Sequence, residues 1–438
     1  MTSDRRALHG DLLDFTAMPG WAELDSAAVR FQPDSWLLIE NGRFVGTQAE
    51  APDASWQRED HAGKLILPGF IDTHVHCPQL DVIASYGTEL LDWLNRYTFP
   101  AECSYADPAV ARLGAERFLD ALLAHGTTAA VVFPTVHKAS AEALFEAAAA
   151  RGMRLITGKV LMDRHAPDGL RDDDVAQAER DCIDLIDRWH GQGPTSRLGY
   201  AVTVRFAPTS SPAQLAMAGA LCRADASLYM QTHVAENRSE VAWVAQLFPD
   251  ARSYLDVYAR EGLLHERAVL AHGIWLDDED KRVLAASGAQ VAFCPSSNLF
   301  LGSGLFDWPA ARAAGFNVSV ASDVGGGTSL SPQRNLLDGY KVQALAGHRL
   351  SAWAGLHAAT RGAAEALGLG DEIGSFDAGT LADVCVWDWA SGPVAEARHA
   401  VARELHEKVF AWMILSDERN LLASYVAGTP QYRRRPDQ

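Results

Sequence analysis

From about residue 66 to residue 325 the chain alternates eight short, apolar, β-branched runs with longer Ala/Leu-rich segments. The runs are "LPGFIDTHVH", "TTAAVVFPT", "RLITGKVLM", "GYAVTVRFAPT", "LYMQTHVAE", "AVLAHG", "QVAFCPSSN" and "NVSVASDVG". Between them, segments such as 107–124 and 140–151 space their apolar residues at helical intervals. Eight buried strands alternating with helices predict an α/β fold of the (β/α)8 TIM-barrel type. An open doubly wound sheet shares the alternation, and the strand count favours closure.

The flanks follow a different pattern. "SWLLIENGRFVG" (35–46) sets an Asn-Gly pair between two strand-like runs, a hairpin signal. "GSFDAGTLADVCVWD" (374–388) is again β-like and punctuated by glycine. Neither flank is long enough to fold alone, so residues 1–66 and 371–438 are expected to pair into one small composite β-domain. The barrel then occupies 67–370, with 352–368 as a helix packing between the two.

Composition narrows the partners. Acidic residues outnumber basic ones 56 to 38, for a formal net charge of −18. With no Lys/Arg-rich run to offset this excess, nucleic acid and anionic membranes are unsuitable partners. No apolar run reaches the length of a membrane span, and the N-terminus lacks the apolar core of a signal peptide. The six cysteines form no C-x-x-C pair and read as free, mostly buried thiols of a reducing, cytoplasmic compartment.

Several polar residues fall at the ends of the predicted strands. Residues i and i+2 of a strand point to one side, so His74 and His76 share a neighbourhood. His233, His272, Asp323 and Arg205 end four other strands. The C-terminal ends of barrel strands build the active site. Imidazole and carboxylate gathered there suit a divalent ion such as zinc, with three or four protein ligands and a place left for water. Asp323 could alternatively cap the glycine-rich loop that follows it. Lys159, on the third strand, could bridge two metals if carbamylated, but the fourth strand ends in Arg205, which favours a single ion. "DVGGGT" lacks the G-K-[ST] ending of a phosphate loop.

"PGFIDTHVH", "HVAEN", "AHG" and "SDVGGG" resemble the amidohydrolase superfamily, in its mononuclear aminohydrolase branch. "LLDWLNRYTFPAE" (90–102), "RF" (205–206) and "PSSN" (295–298) are similar to the guanine deaminases within it. The resemblance implies one zinc per chain on His74, His76, His233 and Asp323, a ligand set that iron also suits. It implies that His272 hydrogen-bonds the attacking water, that Asp323 takes a proton from it, and that Glu236 shuttles protons to ring N3 and the departing amine. The implied reaction is hydrolysis of guanine to xanthine and ammonia by a cytoplasmic homodimer.

Gln79, Arg205 and Phe206 are the expected substrate contacts, beside His233 and Glu236. A glutamine both donates and accepts, so it can read a mixed purine edge, while the donor-only guanidinium of Arg205 needs an acceptor such as the C6 oxygen. The alternatives are plainer. Glu236 could cap a helix start, Arg205 could pair with an acidic neighbour in the wall, and Phe206 could pack the barrel mouth rather than stack on the ring. Trp93 and Phe99 are expected to pack the excursion after the first strand. Two rival functions are an amidohydrolase acting on another aminated ring (an 8-oxopurine, a thiomethyladenosine-type nucleoside or a triazine) and a catalytically silent binding barrel.

Overall fold

The computed structural model describes residues 4–86, 90–192 and 197–435, so the outermost three residues at each end of the expected composite domain lie outside it. Eight parallel strands lie side by side in chain order. They are β1 (Phe70–His76), β2 (Thr127–Phe133), β3 (Arg154–Thr157), β4 (Leu198–Val204), β5 (Tyr229–Val234), β6 (Ala268–His272), β7 (Gln290–Phe293) and β8 (Val318–Val320). All eight predicted runs form strands. The ring closes where the chain leaving β8 meets β1. There the Asp323 N–H donates to the His74 carbonyl and the His76 N–H to the Val324 carbonyl, each at 2.9 Å. The fold is a (β/α)8 barrel.

Every residue of β1, β2 and β4 is buried, as expected for strands covered on both faces. Helices Pro108–Ala124 and Lys138–Arg151 occupy the two segments read as helical. "RLITGKVLM" departs from expectation, because it forms β3 and then a separate short strand, Val160–Leu161, that also pairs with β4. The break falls at Gly158, where a Cβ would lie 2.0 Å from the Ala201 carbonyl oxygen. Only glycine lets the two backbones approach so closely there.

Contacts divide the chain into two compact units, residues 1–72 with 120–129 and 330–438, and residues 73–119 with 130–329. The first unit contains a seven-stranded sheet built from both ends of the chain. Its order is Thr429–Arg433, Leu421–Val426, Val384–Trp387, Gln57–Pro68, Arg5–Phe15, Val29–Glu40 and Arg43–Gln48. Leu8, Leu37, Phe44, Ile66, Val386 and Tyr425 form part of its core. Of the β-like segment 374–388, only Val384–Trp387 is a strand.

The expected single helix over 352–368 is two, Ala352–Ala358 and Arg361–Ala366. Thr360 leaves helical geometry, with φ −133° and ψ −104°. Its hydroxyl donates to the Leu356 carbonyl at 2.7 Å, so the side chain substitutes for helical pairing at the break. All six cysteines are unpaired, and all but Cys103 are buried. No helix among the described residues is long and apolar enough to cross a membrane.

The Asn41-Gly42 turn joins Val29–Glu40 to Arg43–Gln48 with positive φ at both residues, +52° and +77°. That is the turn whose twist matches a two-residue hairpin. A Cβ on Gly42 would also lie 2.9 Å from the Ala427 carbonyl oxygen. We expect Gly42→Val to destabilise the protein by about 1–3 kcal/mol, through strain at a positive φ and this close approach. Chemical denaturation measures it, and a variant with an unchanged midpoint would contradict the turn assignment.

Candidate active site

The predicted strand-end residues converge. His74 and His76 leave the same side of β1, His233 sits in β5, His272 ends β6, and Asp323 follows β8. His272 and Asp323 adopt left-handed backbone, with φ +71° and +47°. Strain of this kind is concentrated at functional sites, where the surrounding structure has to hold it in place. The Nε2 atom of His76 lies 3.2 Å from the Nε2 atoms of both His74 and His233. Asp323 Oδ1 lies 3.2 Å from the Nε2 atoms of His74 and His76.

This packing is costly for the side chains alone. Burial pushes the pKa of His76 down to about 4 and depresses those of His74 and His233, so all three imidazoles are neutral at ordinary pH. Burial by itself would raise the pKa of Asp323, but the contacts from His74 and His76 outweigh it and hold the carboxyl well below its usual range. His233 donates its Nδ1 proton to the Arg205 carbonyl at 2.6 Å, which leaves Nε2 as a bare lone pair aimed at the cluster. One ligand atom from each of His74, His76, His233 and Asp323 falls within a 4.8 Å group. Donor atoms about 2.0–2.1 Å from one tetrahedral centre lie about 3.4 Å apart. The observed 3.2 Å spacing, the His233 lone pair and the single negative charge fit a divalent cation.

Beside this cluster, His272 donates from Nδ1 to Asn298 Oδ1 at 2.9 Å. Its Nε2 lies between two carboxylates, 3.4 Å from Glu236 Oε2 and 3.7 Å from Asp323 Oδ2. Glu236 is buried, and its other oxygen accepts a hydrogen bond from the Ser303 hydroxyl at 2.8 Å. Burial and the charge of Asp323 raise the Glu236 pKa to about 8. Glu236 does not cap the helix that follows. Asn237 and Glu240 form the capping box of Arg238–Leu247, and Glu240 accepts the backbone N–H groups of Glu236 and Asn237.

A cavity connects these groups to Gln79, Arg205, Phe206 and Trp93. Gln79 accepts the Gly325 N–H at 3.2 Å and donates to Glu102 at 2.9 Å. Arg205 donates to the other oxygen of Glu102 at 2.5 Å. Thus Arg205 lines the cavity and also pairs with an acidic neighbour in its wall, as one of the sequence alternatives had it. Gly325 has no room for a side chain, since a Cβ would lie 2.6 Å from the Gln79 carbonyl oxygen. The glycine run therefore serves close backbone approach rather than phosphate binding. Phe206 lines the cavity with its ring edge-on to Trp243 at 6.1 Å.

Trp93 and Phe99 pack the excursion in an apolar cluster with Phe133 and Met162, and Trp93 also reaches the cavity, which the sequence reading did not anticipate. Lys159 pairs with the buried carboxylate of Asp172 and lines neither the cation cluster nor the cavity. Glu102, Ser303 and the role of Asn298 were missed. Glu102 and Asn298 lay within quoted motifs, but nothing local marked them as partners of distant side chains. For Ser303 the sequence carries no signal.

A family model for the amidohydrolase family matches residues 65–429. Guanine deaminase of Escherichia coli (strain K12) is 42% identical over 435 residues, spanning 98% of each chain. Its solved structure superimposes with a TM-score of 0.92 over 98% of this chain and 99% of that one, at 40% identity. Guanine deaminase from C. acetobutylicum, solved with guanine bound in its active site, gives a TM-score of 0.87 at 26% identity, covering 98% of this chain and all of that one. The chain belongs to the amidohydrolase family.

Proposed function

We propose that this chain hydrolyses guanine to xanthine and ammonia. One observation carries the reading: a single cavity sets a cation site and a buried acid, Glu236, beside the donors of Gln79 and Arg205. The full-length similarity to guanine deaminases supports it. Residues 67–370 would form the catalytic barrel, and 1–66 with 371–438 the composite β-domain. We also take the enzyme to be a cytoplasmic homodimer, on the family resemblance and the unpaired cysteines.

We assign His74, His76, His233 and Asp323 as ligands of one zinc. When bound, the ion supplies a water activated for attack at neutral pH and a Lewis acid for developing charge. Asp323 Oδ1 is the oxygen that approaches His74 and His76, and Oδ2, the oxygen nearer His272, is placed to accept the attacking water's proton. His272, its Nδ1–H engaged by Asn298, offers Nε2 as an acceptor that orients the same water. Glu236 in its protonated form donates to N3 as oxygen adds to C2. Glu236, reprotonated from the new C2 hydroxyl, gives that proton to the amine; the C2–N bond breaks as the C2 carbonyl forms, ammonia leaves, and the proton held on Asp323 returns to Glu236. Gln79 and Arg205 hold the opposite edge, and Phe206 packs along the ring.

Elemental analysis should find one zinc per chain, and His74→Ala or His76→Ala should lose both metal and activity. Two ions per chain would reject the single-ion assignment, and full activity after complete chelation would reject the mechanism.

Glu236→Gln keeps shape and hydrogen bonding but has no proton to give. Its kcat should fall about 10²–10⁴-fold with metal content unchanged. Because the protonated form acts, wild-type kcat/KM should decline as pH rises through the Glu236 pKa of the free enzyme. That pKa lies near 8 without metal and lower with a cation nearby, which favours the carboxylate. The variant should lack this decline. A variant with normal turnover would move proton transfer elsewhere, with His272 next to test.

Adenine carries no amine at C2, and turned so that its C6 amine meets the attacking water it offers the Arg205 donors only the C2 hydrogen. It should be rejected by about two orders of magnitude or more. Arg205→Ala should lose most kcat/KM for guanine, keep its metal, and gain no useful adenine activity. Equal wild-type rates on the two purines would overturn the assignment.

A further inference from the structure

The excursion after β1 is the part of the chain whose resemblance is narrowest, yet none of the chemical steps uses it. Its short helix Phe99–Cys103 carries Glu102, whose side chain is completely buried. Each carboxylate oxygen takes one donor from the cavity wall, Oε1 from Gln79 and Oε2 from Arg205. A carboxylate only accepts, so the Gln79 amide must turn its nitrogen to Glu102 and its oxygen to the Gly325 N–H. The Phe99 ring, from the same helix, lies 5.3 Å from the Arg205 guanidinium and confines it from one face. Arg205 and Glu102 also cancel in charge, so the buried wall meets a neutral ligand without a bare cation.

We propose that Glu102 is the positioning residue that locks Gln79 and Arg205 into one donor wall, and that it thereby makes a carbonyl oxygen on the purine a condition of productive binding. The inference rests on the guanine reading above and deepens it. Glu102 itself touches neither the reacting carbon nor the cation ligands. Its loss should therefore appear as lost discrimination between substrates rather than lost chemistry.

2-Aminopurine tests this directly, since it retains the amine at C2 but carries hydrogen in place of the C6 oxygen, losing the N1 proton with it. In wild type, guanine should be preferred by about 10²-fold or more, as for any site built to hydrogen-bond a group that the analogue lacks. Glu102→Gln preserves shape but offers one acceptor where two donors converge. It should cost guanine most of that factor in kcat/KM, chiefly through KM, while 2-aminopurine changes several-fold at most. Metal content and the pH dependence of kcat should stay as in wild type.

Combining Glu102→Gln with Arg205→Ala should cost guanine little more than Arg205→Ala alone, because both act through one contact. If Glu102→Gln fails to fold, Glu102→Asp keeps the charge, is too short to span both donors, and should give an intermediate preference. A variant that slows both purines equally, or multiplies fully with Arg205→Ala, would overturn the positioning role while leaving guanine as the substrate. A wild type with no preference for guanine would overturn the functional reading and this proposal together.

Discussion

Three imidazole nitrogens and a carboxylate oxygen held 3.2 Å from their neighbours cannot satisfy one another by hydrogen bonding, since at most a few protons fit among them. Much of the surrounding structure is arranged to hold this set together. Burial keeps the histidines neutral, and the Arg205 carbonyl fixes the tautomer of His233. Barrel closure itself runs through the set, because the backbone bonds that join the chain after β8 to β1 belong to His74, His76, Asp323 and Val324. Side-chain convergence and ring closure are therefore one constraint, and displacing either strand end would loosen both.

Around this centre the cavity separates its tasks in space. Glu236, His272 and Asp323 lie together, and Ser303 and Asn298 hold Glu236 and His272 by one hydrogen bond each. Gln79, Arg205 and Glu102 form another group, where donors and charge balance matter. The capping box of Asn237 and Glu240 relieves Glu236 of the structural duty its position would otherwise suggest. A carboxyl group free of capping, buried and close to the charge of Asp323, can hold a proton near neutral pH.

How much could be read without coordinates depended on the range of the signal. Strand and helix periodicities are local, so all eight strands were visible, and the Asn-Gly hairpin was equally plain. The breaks at Gly158 and Thr360 were not. The first comes from the approach of a neighbouring strand, and the second from one threonine hydroxyl competing for a helix carbonyl. Periodicity carries neither effect.

The sequence by itself determined the barrel, because a run buried on both faces has few other places to go. It also determined the clustering of His74, His76, His233 and Asp323, because those residues fall at the strand ends that a barrel must bring to one rim. Only the tertiary structure decided which polar groups support that set. Glu102 meets Arg205 across 103 positions of chain, and Ser303 meets Glu236 across 67. Such meetings depend on where an excursion folds back, and that is governed by packing of Trp93, Leu94 and Phe99 against Phe133 at the end of the second strand, Val160 of the short strand after the third, and the loops beside them. A motif can show that a glutamate is present, but its partners depend on the close-packed geometry of elements far apart in the chain.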